Sequence, residues 1–233
     1  MPNWTRNALV APKRVIRRYL DFTTDETGVS FDFNKVIEMP AALDIEHQYS
    51  NYVDLIWYVS DGCKTDPENW SDNDKRIVDA VFESGFMKGR IMQHYSELAD
   101  KREILEKEEE NRMYNTGRLI YDNVKNHGYA DWYDWRVANW GSKWNAVDCS
   151  LEPDYAEKSD SEEACVCFST PWDRPIGIME EIFRANLDCR ISFFWNDGGG
   201  RRKHWWRRFK NGRFSSDYEE LKTGEYVPET FNE

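Results

Sequence analysis

Two stretches with strand–helix–strand spacing flank a long helical segment, and this order limits the folds that the chain can adopt. The first stretch covers residues 7–33 and ends in an alternating apolar and polar run at 29–33. The second covers residues 164–195 and shows the same sequence of patterns. Periods of two and 3.6 residues distinguish strands from helices. Two β-α-β halves of this kind predict an α+β protein with a ferredoxin-like split β-α-β sheet.

The segment between the two halves has the composition of a large helical insertion. Residues 50–128 are mostly helical in pattern, and residues 91–126 contain no proline and only Gly117. Near the C-terminus, Asn211 and Gly212 separate two strand-like runs and predict a β-hairpin. The predicted limits are 1–50 with 129–197 for the core, 51–128 for the insertion, and 198–233 for the C-terminal hairpin and acidic tail.

Net charge and hydropathy exclude two classes of protein. The chain has 31 basic and 43 acidic residues among 233, a net charge of −12, which disfavours general binding to duplex DNA. No apolar run approaches the length of a membrane span, and the N-terminus has no signal-peptide core. We therefore expect a cytoplasmic protein with reduced cysteines, while the oligomeric state stays open.

Aromatic residues are concentrated between residues 131 and 146. If the first part is helical, several indoles approach one face and two basic side chains lie beside them. Such a cluster can stack on a base or hold a peptide, or it can fill the core between sheet and insertion. As a binding motif it comprises Trp132, Tyr133, Trp135, Arg136, Trp140, Lys143 and Trp144.

A second cluster interleaves basic and aromatic residues near the C-terminal hairpin. Such a strand suits single-stranded nucleic acid, because charges follow phosphates and rings stack on bases. It can equally be a charged edge that prevents aggregation, or be neutralised by acidic segments of the same chain. The basic hairpin comprises Arg201, Arg202, Lys203, Trp205, Trp206, Arg207, Arg208, Lys210 and Arg213.

Acidic segments form the third candidate surface, since carboxylates can occupy a basic groove that reads a nucleic-acid backbone. The alternative is that the charge serves solubility alone. The predicted acidic loop comprises Glu152, Asp154, Glu157, Asp160, Glu162 and Glu163.

Catalytic and metal-binding patterns are weak in this sequence. His127 with Asp131 or Asp134 could imitate a general base and its orienting group, but no nucleophile motif accompanies them. Cys165 and Cys167 lack the second close pair of a zinc site. We therefore expect no enzyme activity, no metal and no cofactor.

Five motifs, in order along the chain, resemble the YubB-like proteins of phages and conjugative plasmids, a family of unknown function. They are Met1–Trp4, Phe31–Pro40, Trp132–Arg136, Asn139–Ala146 and Phe168–Pro175. The resemblance implies a ferredoxin-like core and an accessory protein of a mobile element in a bacterial cytoplasm. It supplies no catalytic residues, and the basic run at 201–210 departs from the family pattern.

Two functional hypotheses follow from the sequence and the resemblance. In the first, a non-enzymatic interaction protein of a phage or plasmid binds and inhibits a host defence or nucleic-acid-handling complex. In the second, an accessory protein binds single-stranded nucleic acid through the basic hairpin. Burial or exposure of the motif tryptophans decides whether that motif can take part in either.

Overall fold

A computed structural model describes residues 3–22, 28–82, 90–151, 162–196, 204–210, 213–214 and 219–220. The chain divides into two compact units. Unit 1 comprises Met1–Glu38 and Arg136–Glu233, and unit 2 comprises Met39–Trp135. The limits of unit 2 thus lie outside the predicted insertion, 51–128. The Asn123 side chain gives one reason, because its amide donates to the carbonyl oxygens of Ala42 at 2.9 Å and Ala130 at 3.0 Å.

The regular elements are named here in chain order. The strands are β1 (Trp4–Pro12), β2 (Leu20–Phe22), β3 (Val29–Phe31), β4 (Val147–Leu151), β5 (Glu163–Pro171), β6 (Ile191–Asn196), β7 (His204–Lys210), β8 (Arg213–Phe214) and β9 (Glu219–Glu220). The helices are α1 (Lys13–Tyr19), α2 (Tyr49–Val59), α3 (Asp72–Val81), α4 (Ile91–Lys101), α5 (Lys107–His127), α6 (Trp132–Trp140) and α7 (Ile176–Arg184).

The main sheet of unit 1 has the strand order β4-β5-β1-β6-β7-β8, with β9 also paired to β7. Neighbouring strands in this sheet are antiparallel. Strand β1 lies between β5 and β6, which the chain connects through α7, and this is a split β-α-β arrangement. The predicted α+β class is confirmed. Strands β7 and β8 pair as the predicted C-terminal hairpin, with Lys210 opposite Arg213.

The first half of the sheet differs from the sequence prediction in one strand. Residues 29–33 were expected to return to the main sheet, but β3 pairs with β2 in a separate two-stranded sheet. The strand ends at Phe31 because the Asp32 side chain accepts from the Asn34 N–H and caps a 3-10 turn. Strand β4 lies beside β5 instead. It is short, contains a register shift between Val147 and Ser150, and ends directly before the acidic loop.

Strand β1 is buried on both faces, which explains the apolar run at its centre. Leu9 and Ala11 on one face and Ala8 and Val10 on the other are all at most 8% exposed. The sequence of a central strand that is covered on both faces is a continuous apolar run, without alternation of apolar and polar residues. Its N-terminal end is different, because Trp4 and Arg6 are exposed there.

Unit 2 is built from α2, α3, α4 and α5 around one apolar core. Leu55 and Ile56 of α2 and Ile120 of α5 are fully buried. The long helical pattern at 91–126 divides into α4 and α5, because Leu105 and Glu106 adopt extended backbone before α5 begins. Among the described residues, no helix is long and apolar enough to cross a membrane.

Candidate binding site

Side chains of the segment 139–146 are anchored to the segment 31–38 within unit 1. The Asn145 side chain accepts from the Phe33 N–H at 2.8 Å and donates to the Asp32 carboxylate at 2.8 Å. The Trp140 indole is fully buried, and its N–H donates to the Ile37 carbonyl at 2.9 Å. A buried ring with a satisfied N–H fixes the end of α6. These contacts determine where the next residues, Lys143 and Trp144, can lie.

Two glycines allow the segment 139–146 to lie directly against the start of α7. A Cβ on Gly177 would lie 1.9 Å from the Asn139 carbonyl oxygen, and one on Gly141 would lie 2.7 Å from the Ile176 nitrogen. Gly141 also has a φ of +78°, a conformation that glycine adopts without strain. The two backbones therefore touch directly, and the turn after β5 is held beside residues 141–144.

That turn presents Trp172 in an unusual backbone conformation. The φ of Trp172 is +73°, which a side chain with a Cβ rarely adopts. Its N–H donates to the Asn3 carbonyl at 2.7 Å, and the Thr170 hydroxyl donates to the Asp173 carbonyl at 2.7 Å. These bonds hold the turn although the indole is 60% exposed. Strained residues held in this way are found preferentially at functional sites.

Three exposed indoles and one half-buried lysine of unit 1 lie together and are named here the tryptophan–lysine platform: Trp4, Lys143, Trp144 and Trp172. The ring centroids of Trp4 and Trp144 are 6.0 Å apart. The Lys143 ammonium lies 4.2 Å from the Trp144 centroid and 5.6 Å from the Trp172 centroid. Trp4 is 41% and Trp144 38% exposed. Three accessible indoles, two of them beside a cation, can stack on planar, anionic ligands.

Two arginines, Arg6 and Arg174, each lie two residues along the chain from a platform tryptophan. Arg6 is exposed and follows Trp4 by two residues on β1, so both lie on one face of the strand. The Arg174 guanidinium is 3.1 Å from the Asp173 carboxylate and 4.7 Å from the centre of the Trp195 ring. Thus Asp173 balances Arg174, whereas Lys143 lies against the platform rings.

The seven residues of the predicted aromatic motif divide between the two units. In unit 1, Arg136 stacks over the buried Trp140 at 4.9 Å, while Lys143 and Trp144 belong to the platform. In unit 2, Trp135 is 7% exposed, and Trp132 and Tyr133 lie against His47. The motif is therefore partly core and partly surface, and neither of the two readings holds for all of it.

The suggested pairing of His127 with Asp131 is wrong, because Asp131 pairs with His47. The buried Asp131 carboxylate accepts from the His47 Nδ1–H at 2.8 Å and from the Tyr133 N–H at 2.9 Å. The second bond caps the start of α6. Desolvation and the neighbouring Asp131 charge raise the pKa of the Asp134 carboxyl. The His47–Asp131 pair thus fixes a loop to a helix end, which explains its geometry without catalysis.

The other two predicted surfaces fall largely outside the described residues. The acidic loop residues Glu152, Asp154, Glu157 and Asp160 lie there, whereas Glu162 accepts from the Lys13 N–H through its carbonyl and Glu163 begins β5. Of the basic hairpin, the backbone of β7 and β8 is described. Its register pairs Trp205 with Trp195 and Arg207 with Phe193. Arg201, Arg202 and Lys203 lie outside the described residues.

Sequence reasoning missed three residues of the site: Trp4, Arg6 and Trp172. One usable signal was the position of Trp172 between Pro171 and Asp173, since an aromatic residue in a turn is often exposed. Trp4 could not be found in this way, because its contact with Trp144 spans most of the chain. Among the described residues, no group of three His, Cys, Asp or Glu side chains is placed to hold a metal ion.

Comparisons with known proteins identify no family for this chain. No family model matches the sequence, and no curated protein matches it. Among solved structures, the crystal structure of protein api92 from Yersinia pseudotuberculosis, assigned to DUF1281, aligns with a TM-score of 0.39 and 11% sequence identity. That alignment covers 97% of this chain and 100% of the other.

Proposed function

We propose that this protein binds single-stranded nucleic acid through the tryptophan–lysine platform, without catalysing a reaction. The observation that carries this proposal is a group of three exposed indoles, two of which lie against the Lys143 ammonium. Single exposed apolar side chains are ordinary on a protein surface, but a contiguous exposed patch rimmed by polar residues marks an interaction site. Indole faces stack on any base, and a lysine beside them pairs with the backbone phosphate.

The distribution of charge between the units supports a nucleic-acid contact on unit 1. Unit 2 has 20 acidic and 11 basic residues, a net charge of −9, whereas unit 1 has 23 and 20, a net charge of −3. Most of the excess negative charge therefore belongs to unit 2. A local basic surface on unit 1 can attract a flexible single strand even though the whole chain is acidic.

The sheet supplies a path from the platform to the basic strand β7. Strand β6 separates β1 from β7, and the register places Arg6, Asn196 and His204 in one cross-strand row. Adjacent strands are about 4.8 Å apart, so this row spans roughly 10 Å. The row ends at His204, and Arg208 and Lys210 follow on the same face of β7, about 13 and 20 Å further on at roughly 3.3 Å per residue. A single strand of several nucleotides can cover that distance from the platform.

The biological setting follows from the resemblance to YubB-like proteins and is part of the same proposal. We place the protein among accessory proteins of a phage or plasmid, with a ferredoxin-like core, acting in the bacterial cytoplasm. Inhibition of a host defence or nucleic-acid-handling complex is the competing function, and the first experiment below separates the two.

The double variant Trp4→Ala/Trp172→Gly is expected to bind a fluorescent oligothymidylate at least roughly 30-fold more weakly than the wild type in anisotropy titrations. Each base–aromatic stack contributes about 1–3 kcal/mol, and two are lost. The unfolding temperature should barely change, because both rings are substantially exposed and glycine accepts the positive φ of Trp172.

Tyr114→Ala is the matched control, since Tyr114 of unit 2 is also 44% exposed. It should leave the affinity unchanged, and a duplex competitor should displace the oligonucleotide poorly. If the wild type shows no binding at low salt, the proposal is wrong. Capture of a host protein that depends on Trp4 and Trp172 would then favour the inhibitor function.

Charge reversal on β7 tests the path across the sheet. The double variant Arg208→Glu/Lys210→Glu changes two residues on the face of His204 and should abolish binding at physiological salt. At low salt, residual binding should show a salt dependence that is flatter by about one unit per lost phosphate contact. Affinity measured from about 50 to 200 mM salt tests this. A variant with the wild-type slope would confine the contact to the platform.

A further inference from the structure

The position of Lys143 has a consequence for which ligands the platform accepts. Its ammonium lies over the faces of two indoles, 4.2 Å from the Trp144 centroid and 5.6 Å from that of Trp172. Those faces are where a base would stack. Among the described residues, Lys143 forms no salt bridge, and its ammonium lies against the two rings. An incoming ring that stacks on these faces therefore displaces the ammonium.

We propose that Lys143 makes the platform selective for aromatic ligands that carry a phosphate, namely nucleotides in a strand, over uncharged aromatic ligands. This inference rests on the proposed function. A phosphate next to the stacking base accepts a charge-assisted hydrogen bond from the displaced ammonium and replaces the lost cation–π contact. A neutral aromatic ligand offers no such replacement, so its binding removes the cation–π contact of Lys143 without compensation.

The neighbouring cations cannot take over this role equally well. Arg174 is paired with Asp173 and lies over Trp195. Arg6 is on β1, where its register partners are Ser169 and Asn196. Lys143 is the cation that contacts two platform rings at once. Its flexible stem allows the ammonium to move from a ring face to a phosphate while the backbone stays in place.

Two oligothymidylates of equal length test this selectivity, one with the natural phosphodiester backbone and one with an uncharged methylphosphonate backbone. The wild type should prefer the phosphodiester strand. Lys143→Met should bind the phosphodiester strand about tenfold more weakly and the methylphosphonate strand equally well or more tightly, because the ring faces are now open. Lys143→Arg should retain most of the preference, and Lys125→Met in unit 2 should behave as the wild type.

The outcomes separate this inference from the proposed function. If Lys143→Met weakens both strands equally, or changes neither, Lys143 does not confer selectivity, although the platform still binds single strands. If the wild type binds neither strand, the proposed function and this inference fail together. Near-ultraviolet circular dichroism of the free variants checks that the surrounding indoles keep their packing.

Discussion

Replacing Gly117 with alanine should lower the unfolding temperature of unit 2 by at least about 12 °C. The new Cβ would lie 2.1 Å from the Asp54 carbonyl oxygen and 2.7 Å from the Tyr58 Cβ, so α5 would have to move away from α2. Overpacking of this kind costs about 3 kcal/mol at the upper end of its usual range. For a unit of this size, each kcal/mol shifts the unfolding temperature by about 4–8 °C.

The same displacement would disturb a buried ion pair beside the glycine. Arg112 of α5 lies 2.8 Å from the Asp54 carboxylate of α2, and that side chain is 2% exposed. Burial raises the pKa of Asp54, while Arg112 acts in the opposite direction. Separating the helices would leave a buried carboxylate without its cation, a strongly destabilising change. The steric and electrostatic effects therefore act together in Gly117→Ala.

Gly128→Ala is the control, because it replaces a glycine of unit 2 without creating a steric clash. Gly128 has a φ of +80°, and a Cβ there would meet nothing within 4 Å. Its substitution should cost only about 1 kcal/mol, from the left-handed backbone alone. Thermal unfolding followed by circular dichroism, with hydrogen exchange to locate the change, compares the variants. Equal stability of Gly117→Ala and the wild type would show that α2 and α5 are not in direct backbone contact.

Local patterns predicted the elements of the sheet well where the elements are long and regular. The alternation at 164–168 and the helical spacing at 175–187 correspond to β5 and α7. Strand β4 was missed because its five residues lie at the edge of an acidic run. The segment 29–33 was misplaced because pairing partners are selected by tertiary contacts. Phe31 and Phe33 pack against Phe168, which the local alternation does not specify.

The candidate site was only partly accessible from the sequence for the same reason. Lys143 and Trp144 belonged to a conspicuous cluster and were identified. Their neighbours Trp4 and Trp172 come from distant segments, which the β1–β5 pairing brings together by placing Trp4 opposite Pro171. Trp140 in the same cluster is buried, because its indole N–H finds a partner in the Ile37 carbonyl. The spacing of residues along a helix cannot distinguish the buried Trp140 from the exposed Trp144.

Gly177→Ala should destabilise unit 1 and abolish oligonucleotide binding together. A Cβ at residue 177 would lie 1.9 Å from the Asn139 carbonyl oxygen and 2.8 Å from its carbonyl carbon, both backbone atoms that cannot rotate away. The start of α7 would be forced away from the end of α6. We expect a loss of about 3 kcal/mol, as for other severe overpacking.

The loss of binding has a separate physical cause from the loss of stability. Residues 139–141 position Lys143 and Trp144, whereas Trp172 is held by the turn that leads into α7. Separating the two backbones moves one side of the platform away from the other. Hydrogen exchange should lose protection in β1, β5 and β6, whereas Gly117→Ala should affect α2 and α5, so each variant controls for the other. A Gly177→Ala protein with wild-type protection and wild-type affinity would show that this glycine contact does not determine the geometry of the platform.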